Sequence, residues 1–218
     1  VWATAVPSDP YFSLYQWHYR AISLPQAWDV STGQDGPVTV AVIDTGISPS
    51  HPDLAGKLAP GWDFVDRDND PTDTPVGSSH GTHVAGTIAA ATDNGIGVAG
   101  VSWGAMIMPV RVLDSTGDGS YSRVMEGIEW AVQHGAQVIN MSLGGASYPG
   151  EAFEATIRDA HSRGITLVAA TGNVTVGLDH DWATDAAIVA TLAFMPLAML
   201  AVGASACAFA ITVLERLT

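Results

Sequence analysis

Cysteine occurs once in these 218 residues, at Cys207. That excludes an internal disulfide and any cysteine-rich zinc site, and it leaves the redox compartment open. Basic residues are nearly as scarce, with 8 Lys and Arg against 22 Asp and Glu and a formal net charge of −14. A surface of that sign repels nucleic acid and anionic membranes, so neither is an expected partner. It leaves carboxylates available to hard cations such as calcium. Charge is thin overall, at 14% of residues, where globular chains usually carry about a quarter. An initiator Met and a basic-then-apolar leader are also absent, so the sequence reads as a mature form, a fragment, or a cut from something longer. Its length suffices for a sizeable core and is read as one domain.

What is present is regular. Residues 1–36, rich in Pro, Tyr and Trp with little periodicity, read as an extended lead-in on the surface of the fold. Residues 38–44, VTVAVID, form a β-branched run of continuous apolar character that stops at a carboxylate followed by glycine. Such a run predicts a strand buried on both faces. Similar runs recur at 105–113, 136–143 and 165–172. Between them lie helical patterns at 80–91, at 121–134 ending at Gly135, and at 151–163 ending at Gly164. Strands alternating with single helices predict an α/β fold: a parallel sheet, helices on both faces, and a site at the strands' carboxyl ends. From residue 174 the texture changes, and residues 186–214 contain no charge. That stretch is long enough to test as a membrane span, but its alanines, Pro196, Gly203 and Ser205 favour buried helix and strand or a divergent tail.

Two histidines, His80 and His83, stand three apart at the start of the first predicted helix, in SSHGTHVAGT. A zinc pair would want a third ligand and the i, i+4 spacing of His-Glu-x-x-His, which is not the spacing here. His83 is read as a partly buried packing residue. Asp44, alone, would be a loop cap at the end of its strand. Jointly, a strand-end Asp and a glycine-flanked His at a helix start suit a carboxylate that orients an imidazole acting as general base. Asn173, in the strand-end Gly172-Asn173, supplies the amide donor type that stabilises a tetrahedral oxyanion.

The segments AVIDTGISPSHPDL, SSHGTHVAGTIAA, VINMSLGG and VAATGN resemble, in order and spacing, the motifs of the subtilisin-like serine proteases. The lead-in from Asp9 resembles the mature amino terminus of their thermitase-like members, and the likeness covers about residues 8–173. The resemblance implies a secreted, monomeric serine endopeptidase acting on extended polypeptides, with a catalytic domain from residue 37. Asp44 would orient His80, His80 would move the proton, and Asn173 would donate to the oxyanion. Gly117, Asp118 and Gly119, with Ser142, Leu143, Gly144 and Gly145, would be the two edges that clamp a substrate strand, and Tyr121 would border an outer subsite. The resemblance also implies calcium, held by Asp9, Asp53, Asn94 and the carbonyls of Ala91, Ile96 and Val98, all hard oxygen donors. The acidic loop with Asp63, Asp66, Asp68, Asp70 and Thr72 reads either as a second calcium site or as a solvated loop.

One motif is wanting. The family's nucleophile lies in Gly-Thr-Ser-Met-Ala, and that string does not occur in the sequence. Its nearest echo, VGAS at residues 202–205, is closer to the family's preceding strand, so Ser205 is not read as the nucleophile. The expectation is therefore a protease-type chain, incomplete or divergent from residue 174, and inactive as it stands. The alternatives are a non-catalytic peptide-binding module and a membrane-tethered variant.

Overall fold

The computed structural model describes residues 6–73, 79–145 and 148–170. The expected oxyanion donor Asn173 and the whole of the tail, residues 174–218, lie outside the described residues.

Among the described residues, five strands form one wholly parallel sheet: β1 (Thr39–Asp44), β2 (Trp62–Asp63), β3 (Met106–Arg111), β4 (Val138–Met141) and β5 (Thr166–Ala169), ordered β2-β3-β1-β4-β5. The four longer strands fall within the apolar runs of the sequence, trimmed at their ends. β1 is central because it pairs on both edges, with β3 from Thr39↔Met106 to Asp44↔Arg111 and with β4 from Val40↔Val138 to Val42↔Asn140. Successive side chains of a strand point to opposite faces. Val40 and Val42 accordingly enter one core and Ala41 and Ile43 the other. This is why the strand carries no polar residue from Val40 to Ile43.

The lead-in is helical where extended chain is expected. It folds into α1 (Phe12–Tyr15), α2 (Trp17–Ala21) and α3 (Leu24–Trp28). Phe12, Tyr19, Leu24 and Trp28 are buried in the first core, beside Ala85 and Ile88 of α4 (His80–Ala89). Tyr19 and Trp28 bury their polar tips on carbonyls, the Tyr19 hydroxyl donating to Ala99 (2.9 Å) and the Trp28 indole to Val101 (2.8 Å). On the other face α5 (Tyr121–Gln133) and α6 (Glu151–Ser162) supply Val124, Ile128, Ala131, Ile157 and Ala160 to the second core. Gly127 of α5 lies where a Cβ would come within 2.8 Å of Val112, so a close helix–strand approach fixes that residue type.

The acidic loop after β2 is organised by an arginine. Arg111, at the carboxyl end of β3 and buried, donates from one Nη to Asp63 and to Asp66, each at 2.6 Å. The other oxygen of Asp63 accepts the backbone N–H groups of Val65 (2.6 Å) and Asp66 (3.0 Å). A guanidinium thus stands against two of the oxygens that a second calcium ion would need, and the remaining acids cap their own loop, Asp68 accepting from the N–H of Asp70 and Asp70 from the Thr72 hydroxyl. These residues do not fit a second metal site. Removing one partner of a buried ion pair costs about 3–5 kcal/mol, because the other charge is left uncompensated. Arg111→Met is expected to lose stability of that order in urea denaturation, and Arg111→Met with Asp63→Asn, which removes the charge but keeps an acceptor for the N–H groups of Val65 and Asp66, to recover most of it. A loss below about 1 kcal/mol, the worth of an exposed pair, would show that the pair is not buried in effect.

Candidate active site

The carboxyl end of β1 delivers Asp44 into the interior with 0% of its side chain exposed. Both of its oxygens lie against Nδ1 of His80, at 2.8 and 2.9 Å, and Oδ1 also accepts the N–H of Thr45 at 2.7 Å. His80 is the first residue of α4 and keeps 44% of its side chain exposed. One ring edge is therefore held by a buried anion while the ring remains reachable from solvent. The Asp44 hydrogen bond raises the His80 pKa above its ordinary 6.5; burial opposes this, and the charges of Asp44 and Asp73 add to it. The rise occurs although a helix amino terminus disfavours a cation. The same contact fixes the proton on Nδ1 and leaves the Nε2 lone pair free to accept one, as a general base requires.

Of the other expected catalytic residues, Asn173 is outside the described residues. The expected substrate edges are at the same end of the sheet. Ser142 and Leu143 follow β4 directly and are half-buried, and Gly144 and Gly145 are exposed. Gly117, Asp118 and Gly119 form an exposed turn after β3. That turn is braced by Asp114, which accepts the N–H groups of Thr116 (2.9 Å) and Asp118 (3.1 Å). Tyr121, the first residue of α5, follows one edge by two residues and meets the other: a Cβ on Gly145 would lie 1.9 Å from the Tyr121 hydroxyl, so a side chain there would displace the phenol. His83 departs from expectation. It is exposed, because α4 buries Gly81, Ala85, Ile88 and Ala89 and residue 83 lies off that face.

The expected calcium residues come from the lead-in (Asp9), the single turn Pro52–Leu54 (Asp53) and the loop after α4. Asp9 and Asp53 are both 3% exposed. Asp53 accepts the N–H of Val98 (2.8 Å) and the amide of Asn94 (3.0 Å), and Asp9 accepts the N–H of Asp93 (2.7 Å) through Oδ2. Asp9 Oδ1 is buried without any hydrogen-bond partner. Burial raises the Asp9 pKa against the hydrogen bonds from Asp93 and Asn94 that lower it, and the charge of Asp53 adds to the rise. Two buried carboxylates with an orphaned oxygen are short of positive charge, so the donor set fits a hard cation. Among the described residues no three His, Cys, Asp or Glu side chains gather as a metal-holding group. A site here would draw on two carboxylates, one side-chain amide and backbone carbonyls.

Two further contributors, Thr45 and Asp73, are not among the candidates that the sequence singles out. Thr45 accepts the N–H of Gly81 at 3.0 Å, and Asp73 accepts both the hydroxyl (2.8 Å) and the N–H (3.3 Å) of Thr82. The adjacency of Thr45 to Asp44 was the only available signal; Asp73 is one acid among many in its loop.

A parallel α/β sheet whose central strand ends in a buried carboxylate holding a helix-start histidine defines an enzyme-type site of the Asp–His kind. The profile of the Subtilase family matches residues 35–208. The sequence is 45% identical to thermitase of Thermoactinomyces vulgaris over 167 residues, covering 77% of this chain and 58% of thermitase. It is 43% identical to a thermophilic serine proteinase of Bacillus sp. (strain AK1) over 171 residues, 78% of this chain and 41% of that protein. Among solved structures, a protease of Pseudoalteromonas arctica PAMC 21717 superposes with a TM-score of 0.71 at 40% identity, covering 78% of this chain and 60% of the other. The chain belongs to the subtilase family, and it spans about half the length of the curated relatives it matches.

Because the His80 pKa is raised in the folded chain, its pairing with Asp44 contributes stability that is fully present below pH 6.5 and is lost as pH rises through the folded value. Asp44→Asn is expected to return the His80 pKa toward 6.5 and to remove that pH-dependent contribution, read by histidine NMR titration and by urea denaturation across the same window. An unchanged His80 pKa would contradict the pairing.

Proposed function

We propose that the chain carries the carboxylate–imidazole half of a serine endopeptidase that hydrolyses peptide bonds in extended polypeptides. One observation carries this: a fully buried Asp44 holds His80 Nδ1 at 2.8 Å in a chain of the subtilase family. In the complete reaction His80 Nε2 takes the proton of a serine hydroxyl as it attacks the scissile carbonyl and returns that proton to the leaving amine. Asn173 is the proposed oxyanion donor. Residues 117–119 and 142–145 are the proposed edges for β-augmentation of a substrate strand, with Tyr121 following the first and meeting the second. Supporting this is the placement of both segments beyond the carboxyl ends of β3 and β4, as glycine-rich chain that is exposed except at half-buried Ser142 and Leu143.

Gly-Thr-Ser-Met-Ala does not occur in the sequence. A base and an oxyanion donor without a nucleophile leave at most small residual rates. We therefore expect no robust caseinolysis by this chain and no labelling of Ser205 by a fluorophosphonate. Strong labelling at Ser205 would overturn the reading of the nucleophile as absent. The same absence favours a second reading, a non-catalytic module that binds extended peptides through the same edges. Isothermal titration with unstructured peptides separates the two, since a well-folded chain that binds none would leave the module reading without support.

Calcium is the proposed ion, held by Asp9, Asp53, Asn94 and the carbonyls of Ala91, Ile96 and Val98. When bound it supplies positive charge to two buried carboxylates and ties the lead-in to the loop after α4. A ligand that binds only the folded state raises stability by about 2.7 kcal/mol at a hundredfold excess over its Kd. The melting temperature is expected to be higher in calcium than in chelator, and Asp9→Asn to shrink that difference; equal melting in both would contradict the site. Export as an extracellular monomer is proposed from family resemblance, and among the described residues no helix is long and apolar enough to cross a membrane. A net charge of −14 supports the absence of a nucleic-acid partner.

A further inference from the structure

The helix that carries His80 begins without a cap of its own. Ser79, at the N-cap position, sits in the left-handed region (φ 44°, ψ 42°), and its side chain makes no capping hydrogen bond. A helix start leaves its first N–H groups without intrahelical partners, and these ordinarily bond to the N-cap side chain. Here they bond to residues remote in sequence. The N–H of Gly81 donates to the Thr45 hydroxyl at 3.0 Å, and that of Thr82 to Asp73 at 3.3 Å. The Thr82 hydroxyl reinforces the second contact by donating to Asp73 at 2.8 Å, and it accepts the N–H of Ser48 at 2.9 Å.

These contacts join three layers of backbone. A Cβ on Gly81 would lie 2.2 Å from the Gly46 carbonyl oxygen, and a Cβ on Gly46 would lie 2.7 Å from that of Pro71 and 2.9 Å from the nitrogen of Asp73. The N–H of Ile47 donates to the Pro71 carbonyl at 2.9 Å. The start of α4, the segment after Asp44, and the end of the acidic loop are thus stacked at backbone contact. Asp73 is itself buried, at 6% exposure.

We propose that Thr45 and Asp73 are positioning residues of the catalytic pair: together they cap α4 from outside it and set the orientation in which the His80 ring meets Asp44. Neither hydrogen-bonds the imidazole itself; each acts through the backbone or hydroxyl of the residues that follow His80, Gly81 and Thr82. This rests on the reading of Asp44 and His80 as the catalytic pair, but it does not require the chain to hydrolyse anything. It also gives the acidic loop a purpose other than metal binding. Arg111 holds its beginning, through Asp63 and Asp66, and Asp73 at its end holds the helix start.

The test uses the full chain labelled with 13C and 15N at histidine, with His80→Gln assigning the His80 ring. The nitrogen shifts of a neutral imidazole report which nitrogen carries the proton, and free imidazole side chains favour Nε2–H, whereas a ring held by Asp44 is Nδ1–H. The parent is expected to show Nδ1–H. Thr45→Val and Asp73→Ala, which remove an acceptor, are expected to shift His80 toward Nε2–H. Thr45→Ser and Asp73→Asn, which keep one, are expected to retain Nδ1–H, even though Asp73→Asn also lowers the His80 pKa by removing a charge. If Thr45→Val gives no cooperative melting, the two Asp73 variants decide. Folded Thr45→Val and Asp73→Ala chains with the parental tautomer would overturn the positioning role, as would equal changes in the removing and retaining variants. A parent already in the Nε2–H form would instead overturn the catalytic pair itself.

Discussion

A carboxylate with no exposed surface at the end of the central strand governs how this molecule is put together. Burying an ionised group without partners is costly enough that a protein either pairs it or neutralises it. Asp44 is reached only through five residues of β1 that are themselves packed on both faces or on both edges, so it cannot turn away to water. Its partners must be brought to it. Thr45 supplies a backbone N–H, and α4 supplies His80. The start of α4 is in turn pressed onto residues 44–46 closely enough that position 81 has room only for glycine. The motif Asp-Thr-Gly on the strand and His-Gly-Thr on the helix are therefore two halves of one contact: each contains the polar group the other lacks and a glycine where the backbones touch.

The surplus of acid in the composition is resolved differently at three places. Asp44 is paired with a histidine that stays half open to solvent, which keeps the contact chemically usable. Asp63 and Asp66 are paired with a buried arginine, which makes the contact structural. Asp9 keeps a buried oxygen with no partner beside a second buried carboxylate, Asp53. The first arrangement suits proton transfer, the second holds a loop in place, and the third is the one that fits a cation. Burial, exposure and the charge of the nearest partner decide which acid does which, and none of these is a property of the acid alone.

Much of the fold could be read from the sequence, because the physics that forms it is periodic. The β-branched run at residues 38–44 and the helical spacing at 121–134 declare themselves, and Asp44 and His80 stand out as polar interruptions at the ends of such runs. The lead-in helices did not, since four or five residues are too few to establish a 3.6-residue period. β2, with two residues, is set by its pairing with β3 and not by its own composition. The acidic loop was ambiguous because the guanidinium that satisfies it comes from position 111, about 45 residues further on in the chain and one strand away in space. His83 was misplaced by a fraction of a helical turn. For Thr45 and Asp73 the decisive fact is an unusual backbone angle at Ser79, which no spacing of residues announces.

The central claim is that Asp44 holds the His80 imidazole and makes it more basic than a free one. Diethyl pyrocarbonate acylates only neutral imidazole, so its rate at His80, followed against pH by peptide mass spectrometry, gives that basicity in the intact chain. Half-maximal reactivity at His80 is predicted above pH 6.5. Half-maximal reactivity of His80 at or below pH 6.5 would contradict it.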